Sequence, residues 1–133
     1  MKNSVRLAVN GTLMQGLELN KNLISVGATF IREAKTESAY RLWSIHDRHP
    51  AMVKVSQGGA LIALEVWEVP ASGLSTLLLL EPPGLCIGKV RLADGEEVLG
   101  VLGEPFLCEG QLEITQYGGW RAYLAKEIPS ITR

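Results

Sequence analysis

The sequence predicts an α+β domain built mainly on a small, curled antiparallel or mixed sheet with short flanking helices. Three observations carry that expectation. Asp94-Gly95 sits between two alternating apolar runs, Ile87–Leu92 and Glu97–Leu102, the strongest short-range signal for a β-hairpin. Several other runs alternate with a period of two, as a half-buried strand requires. Glycines and prolines break the chain at short intervals, which favours hairpins over long β-α-β crossovers and points to a sheet curling toward a barrel.

The elements follow in order. Val5, Leu7 and Val9 alternate with Arg6 and Ala8 to give a first strand, which runs into Asn10-Gly11-Thr12. Leu19, Leu23 and Val26 have helical spacing, so a short helix within 15–26 should end at Gly27, where glycine accepts a left-handed cap. Strands are expected at Thr29–Ala34, Tyr40–Ile45, Met52–Val55 and Ala60–Val69, the last stopped by Pro70. Ala71–Leu80 reads as a helix with Ser72 as its N-cap, closed by Pro82-Pro83-Gly84. After the Asp94-Gly95 hairpin comes a looser tract, and Trp120–Lys126 forms a closing helical turn. The sum is six or seven strands and two or three short helices, in one domain over residues 1–133 with a frayed tail at 127–133.

Composition removes several function classes. Thirteen basic against fourteen acidic residues give a net charge of −1, with no Lys/Arg run, so the basic footprint of a nucleic-acid binder is missing. The most apolar stretch, Leu77–Leu80, is far too short to span a bilayer. Cys86 and Cys108 lack the spacing of a zinc site or a disulfide framework and read as reduced thiols. With no signal-peptide pattern at the N-terminus, a soluble cytoplasmic protein is expected.

Candidate chemistry is sparse. His46-Asp47-Arg48-His49 places two imidazoles around a carboxylate, but in a loop before Pro50 and without a third ligand group, so no metal is expected. No G-x-S-x-G elbow, Walker A or G-x-G-x-x-G occurs, and no cofactor is expected. Two features remain. The glycine-bearing loop of Asn10, Gly11, Thr12, Leu13 and Met14 can aim backbone N–H groups at an anionic ligand. Glu81 follows four leucines; apolar surroundings raise a carboxyl's pKa toward the range of proton transfer. Tyr40, Glu65 and Arg121 are further pocket candidates, with Glu65 in the central strand.

The ordered set Gly11-Thr12-Leu13-Met14-Gln15-Gly16 with Leu19-Asn20, Glu65–Pro70, Leu85–Val90 with Asp94-Gly95, and Gly118-Gly119-Trp120-Arg121-Ala122-Tyr123 resembles the C-terminal domain of allophanate hydrolase. The resemblance spans roughly residues 5–125. It implies a γ-glutamylcyclotransferase-like fold, a small curled barrel, and an activity on a small carboxylated or urea-like nitrogen compound. In that family the domain accompanies an amidase and decarboxylates N-carboxycarbamate in urea breakdown. No amidase signature occurs in these 133 residues, so a free-standing counterpart of the domain is expected, with an amidase protein as its partner. The family's first-loop histidine is Leu13 here. The cyclotransferase branch implies a glutamate acid/base past a short helix, and Glu81 falls at about that place; its loop tyrosine is replaced by Asn10. Two readings follow: a small-molecule enzyme using Glu81, or a ligand-binding accessory module without chemistry.

Overall fold

A computed structural model of the chain describes residues 3–126; the tail expected to fray, 127–133, lies outside them. Eight strands are present among the described residues: β1 Ser4–Val9, β2 Thr29–Lys35, β3 Tyr40–Ile45, β4 His49–Lys54, β5 Ala63–Pro70, β6 Leu85–Arg91, β7 Glu97–Gly103 and β8 Leu112–Glu113. Three short helices accompany them, α1 Asn20–Ser25, α2 Ala71–Leu79 and α3 Trp120–Leu124, with 3-10 turns at Pro105–Cys108 and Thr115–Tyr117.

The strands form two sheets. The larger runs β2-β5-β1-β7-β6 and the smaller β4-β3-β8. All ladders are antiparallel except β1 with β7, so the sheet is mixed. Its curl is strong: the edge strands β2 and β6 approach each other just past their ends, where Thr36 bridges Leu92. There the Glu37 N–H donates to Arg91 O at 3.0 Å and the Ala93 N–H to Lys35 O at 2.9 Å. The expected barrel is nevertheless not formed. One isolated bridge joins the two edges, and the ladders do not close into a cylinder.

Local chemistry explains the elements. The β6–β7 hairpin turns at Asp94-Gly95, with Gly95 at φ 94°. Asp94 Oδ1 accepts the Glu96 N–H at 2.9 Å, an Asx-type closure. Arg32, on the opposite edge strand β2, and Arg6, on the adjacent β1, hold Glu96 at 3.0 and 2.9 Å. The β3–β4 hairpin turns on His46 and Asp47, both left-handed at φ 53° and 57°, the backbone pattern of a tight hairpin turn. The run expected to be loop through His49 is therefore turn only as far as Arg48, and β4 already begins at His49. Pro50 is tolerated inside β4 because that strand lies at a sheet edge.

β5 begins three residues later than Ala60; Ala60 itself contributes one bridge to Tyr40. It runs through Pro70 directly into α2, so Pro70 occupies the capping position and Ser72 lies inside the helix without capping it. The Ala71 N–H finds its acceptor in Asn3 O at 2.9 Å instead. α1 ends before Gly27 at φ 85°, as its cap glycine predicts. α2 closes against that corner because Gly73 has no side chain: a Cβ there would come within 2.8 Å of Val26 Cβ.

The core is a large apolar cluster, with Leu7, Leu23, Leu42, Met52, Val66, Leu77 and Trp120 among its members, and a smaller one of Ile45, Ala51 and Cys108. Trp120 and Tyr123 cap the larger, stacked at 5.6 Å between ring centroids. Cys108 is buried and Cys86 half-buried, both as free thiols pushed up by burial, Cys108 to about 11. No helix among the described residues is long and apolar enough to cross a membrane.

The tightest approach in the sheet is at Gly100 in β7, where an added Cβ would sit 2.4 Å from Val90 Cγ2. Val90 is fully buried and cannot swing away. Gly100→Ala is expected to cost about 1–3 kcal/mol by overpacking, measured as a lower urea midpoint. Leu79→Lys, at an 85% exposed position on α2, should leave the midpoint within about 0.5 kcal/mol of wild type.

Candidate functional site

The 10–16 loop leaves β1 and lies between two clefts. Asn10 is buried and donates from Nδ2 to Val101 O at 2.9 Å, tying the loop to β7. Gly11 packs on Pro50, whose Cδ would lie 2.5 Å from any Cβ at that position. A turn follows, with the Met14 N–H on Gly11 O at 3.0 Å and the Leu19 N–H on Thr12 O at 2.9 Å. Asn20 fixes the far side by donating from Nδ2 to Leu13 O at 2.8 Å. Among the described residues no acceptor takes the N–H of Gly11, Thr12 or Leu13. The Met14 amide is already spent inside the turn.

The first cleft is small. Residues 9–13, His49, Pro50, Glu81, Leu85 and Val101 enclose about 10 Å³, roughly the room one water needs. Glu81 enters from just beyond the C-terminus of α2. Its Oε2 is buried with no hydrogen-bond partner among the described residues. Nothing offsets the lost hydration of the carboxylate, and burial pushes its pKa up to about 7. The structure thus brings Asn10, Gly11, Thr12, Leu13 and Glu81 to one place. It adds His49, whose Nδ1 lies 3.1 Å from Pro50 O. Sequence reasoning set that histidine aside with its loop neighbours; the one usable signal was the strand that begins at it.

The second cleft is large, about 510 Å³, between β2, β5 and α3. Met14, Glu65 and Arg121 line it. Glu65 is nearly fully buried, and every contact it makes fixes something. Oε1 accepts the Gln15 N–H at 2.9 Å and Trp67 Nε1–H at 3.1 Å, while Oε2 accepts Arg121 Nη2 at 2.9 Å. The same Nη2 donates to Gln15 O at 2.6 Å. Glu65 is therefore a satisfied anchor, in contrast with Glu81. Tyr40 lines neither cleft; it is wholly buried in the core, and its hydroxyl has no partner among the described residues.

Around these clefts the His46–His49 segment acts as a brace. Asp47 Oδ1 accepts Ser44 Oγ at 2.6 Å and the Tyr123 hydroxyl at 2.5 Å, which together hold its carboxyl below the usual range. No group of three or more His, Cys, Asp or Glu side chains that could hold a metal occurs among the described residues.

Fold and site together define a sheet-dominated α+β domain that sets an unsatisfied glutamate against a glycine-bearing strand-to-helix loop. The sequence profile of the allophanate hydrolase C-terminal domain matches residues 5–125, and the chain belongs to that family. It is 34% identical over 127 residues to the urea amidolyase of Saccharomyces cerevisiae, covering 90% of this chain and 7% of that one. The chain thus spans only a small fraction of that relative's length. The crystal structure of a uropathogenic E. coli-specific protein is 54% identical, with a TM-score of 0.91 and coverage of 92% of this chain and 97% of that one. Kluyveromyces lactis allophanate hydrolase is 33% identical, with a TM-score of 0.88 over 93% of this chain and 21% of its own.

Because Glu65 is buried and Arg121 is its charged partner, Arg121→Met should strand a carboxylate. A fully buried pair broken this way loses about 3–5 kcal/mol. Arg121 is 47% exposed, and the two remaining N–H donors soften the loss, so about 1–2 kcal/mol is expected. Urea unfolding measures it, and Arg121→Lys should recover part of the difference.

Proposed function

We propose that the cleft between the 10–13 loop and Glu81 is a proton-transfer site for a small carboxylated nitrogen compound. The observation that carries this reading is the buried, unpartnered Glu81 carboxyl lining the same cleft as three unused backbone N–H groups. Gly11, Thr12 and Leu13 would bind the ligand's carboxylate, as backbone N–H groups do in anion-binding loops. With a pKa of about 7, Glu81 is present in both protonation states near neutral pH, the condition for acid/base work.

Relatives that bear the names urea amidolyase and allophanate hydrolase favour a substrate from urea-type nitrogen metabolism. In decarboxylation of an N-carboxycarbamate, the bond between nitrogen and one carboxyl carbon breaks and carbon dioxide leaves. The nitrogen takes the proton of neutral Glu81, and carbamate remains. In a γ-glutamyl-type cyclotransfer, ionised Glu81 would accept a proton from the attacking amine and return it to the leaving one. His49 also lines the cleft. Room for about one water means that a substrate enters only if the cleft widens.

A second reading is a ligand-binding or accessory partner of an amidase, without turnover. Leu13 at the family histidine's position and the small cleft volume favour it. The two readings separate in a thermal-shift and turnover screen of small carboxylates, ureas and γ-glutamyl compounds. Stabilisation together with product release supports the enzyme, and stabilisation alone supports the accessory module. A ligand that stabilises Glu81→Gln as well as wild type would remove Glu81 from the site.

Glu81 also makes a stability prediction. Its folded pKa is raised from 4.5 to about 7, so between these values the native state binds more protons than the unfolded one. Stability conferred by the neutral carboxyl is full below about pH 4.5 and is lost as pH rises toward 7. Glu81→Gln should flatten that fall and exceed wild type by about 1–3 kcal/mol at pH 8, read from urea midpoints across pH 4–8.

A further inference from the structure

The 510 Å³ cleft between β2, β5 and α3 lies on the other side of the 10–16 loop from Glu81, and nothing in the proton-transfer reading uses it. Its volume is in the range of small-molecule sites, roughly 300–1,000 Å³. The lining is mixed in a specific way. Ala63 and the 45%-exposed Leu61 supply an apolar wall. Arg121, Lys35 and Glu33 supply charges of both signs.

Arg121 is built into place. Its Nη2 is committed to Glu65 Oε2 and Gln15 O, which leaves Nε–H and the two Nη1 hydrogens without an acceptor among the described residues. An arginine has five N–H donors in a rigid fork, so an anchored guanidinium with three spare donors is preset to receive a carboxylate. Lys35 on the same wall has no ion-pair partner among the described residues.

The remaining charge sets the other half of the ligand. Glu33 lies directly across the β2–β5 ladder from Glu65, and like charges in that relation repel. Glu65 is neutralised by Arg121. Glu33 is exposed and has no cation of its own among the described residues. A cationic group on a ligand would meet an unopposed carboxylate there.

We propose that this cleft is a second binding site, for an amino-acid-like zwitterion with an apolar side chain. Its carboxylate sits on Arg121 and Lys35, its ammonium on Glu33, and its apolar body against Leu61 and Ala63. Because Arg121 and Glu65 both hold Gln15, occupancy bears on the same loop that frames the Glu81 cleft.

The test is an amide-resolved NMR titration of the whole chain with L-phenylalanine. Saturable shifts are expected at Gly118–Ala122 and at Gln15. L-phenylalaninamide, lacking the carboxylate, and hydrocinnamate, lacking the ammonium, should each bind at least about fivefold more weakly. Ala122→Glu places a third carboxylate beside Arg121 and should weaken L-phenylalanine at least about tenfold. Glu81→Gln should keep the saturable shifts at Gly118–Ala122, so failure of the proton-transfer reading and failure of this one are distinguishable. The proposal is overturned by any of three results: no shifts up to the solubility limit, equal binding of the amide, or shifts confined to residues 11–13 and lost in Glu81→Gln.

Discussion

A buried carboxylate on an inner strand of the larger sheet decides how the rest of the molecule is arranged. Glu65 sits in β5 between β1 and β2, nearly sealed from water, and leaving it unpaired would cost several kcal/mol. Its three donors come from three separate parts of the chain: the Gln15 amide, the Trp67 indole and the Arg121 guanidinium. Satisfying one side chain therefore fixes the course of the first loop, the indole on the same strand, and the closing helix against the sheet. Trp67 is further set by its edge-to-face contact with Phe30 at 5.6 Å. The closing helix in turn brings Tyr123 onto Asp47, which ties the β3–β4 hairpin to the same assembly.

The two glutamates illustrate how one residue type acquires opposite environments from its surroundings. Glu65 is buried with its charge matched, and it serves position. Glu81 is half-buried with one sealed oxygen unmatched, and burial raises its pKa to about 7. The 10–16 loop runs between them: its Gly11–Leu13 stretch lines the Glu81 cleft, and its Gln15 backbone is bound at both N–H and C=O on the Glu65 side. A shift of this loop would be felt in both clefts, because short hydrogen bonds hold it at each end.

Much of the fold is legible in the residues themselves because the signals are local. Alternation places β1, β2, β3 and β7 almost to the residue, Asp94-Gly95 places the hairpin, and Gly27 and Pro70 mark two boundaries. The differences are equally physical. β4 starts at His49 because edge position lets Pro50 join a ladder, and Ser72 is no cap because Pro70 carries strand directly into helix. The barrel does not close because closure depends on matching two distant edge strands, which meet here at only one bridge. For the site, the loop and Glu81 are visible as a glycine-bearing turn and a carboxyl after leucines. His49 is not, since its nearness to Glu81 comes from packing between residues far apart in sequence. Tyr40 looks like a pocket residue in sequence and is a core residue in space, since its strand face is wholly covered.

The sequence by itself determined the α+β class, the order of the elements and the family. It could do so because turn chemistry, side-chain period and residue type are properties of neighbouring residues. Tertiary structure alone decided which glutamate is satisfied and which is left bare, and that the loop divides two clefts of about 10 and 510 Å³. Those outcomes depend on which donors reach each oxygen across 50 or more positions of chain, as Gln15 and Arg121 reach Glu65. No local pattern of residues encodes that count of donors.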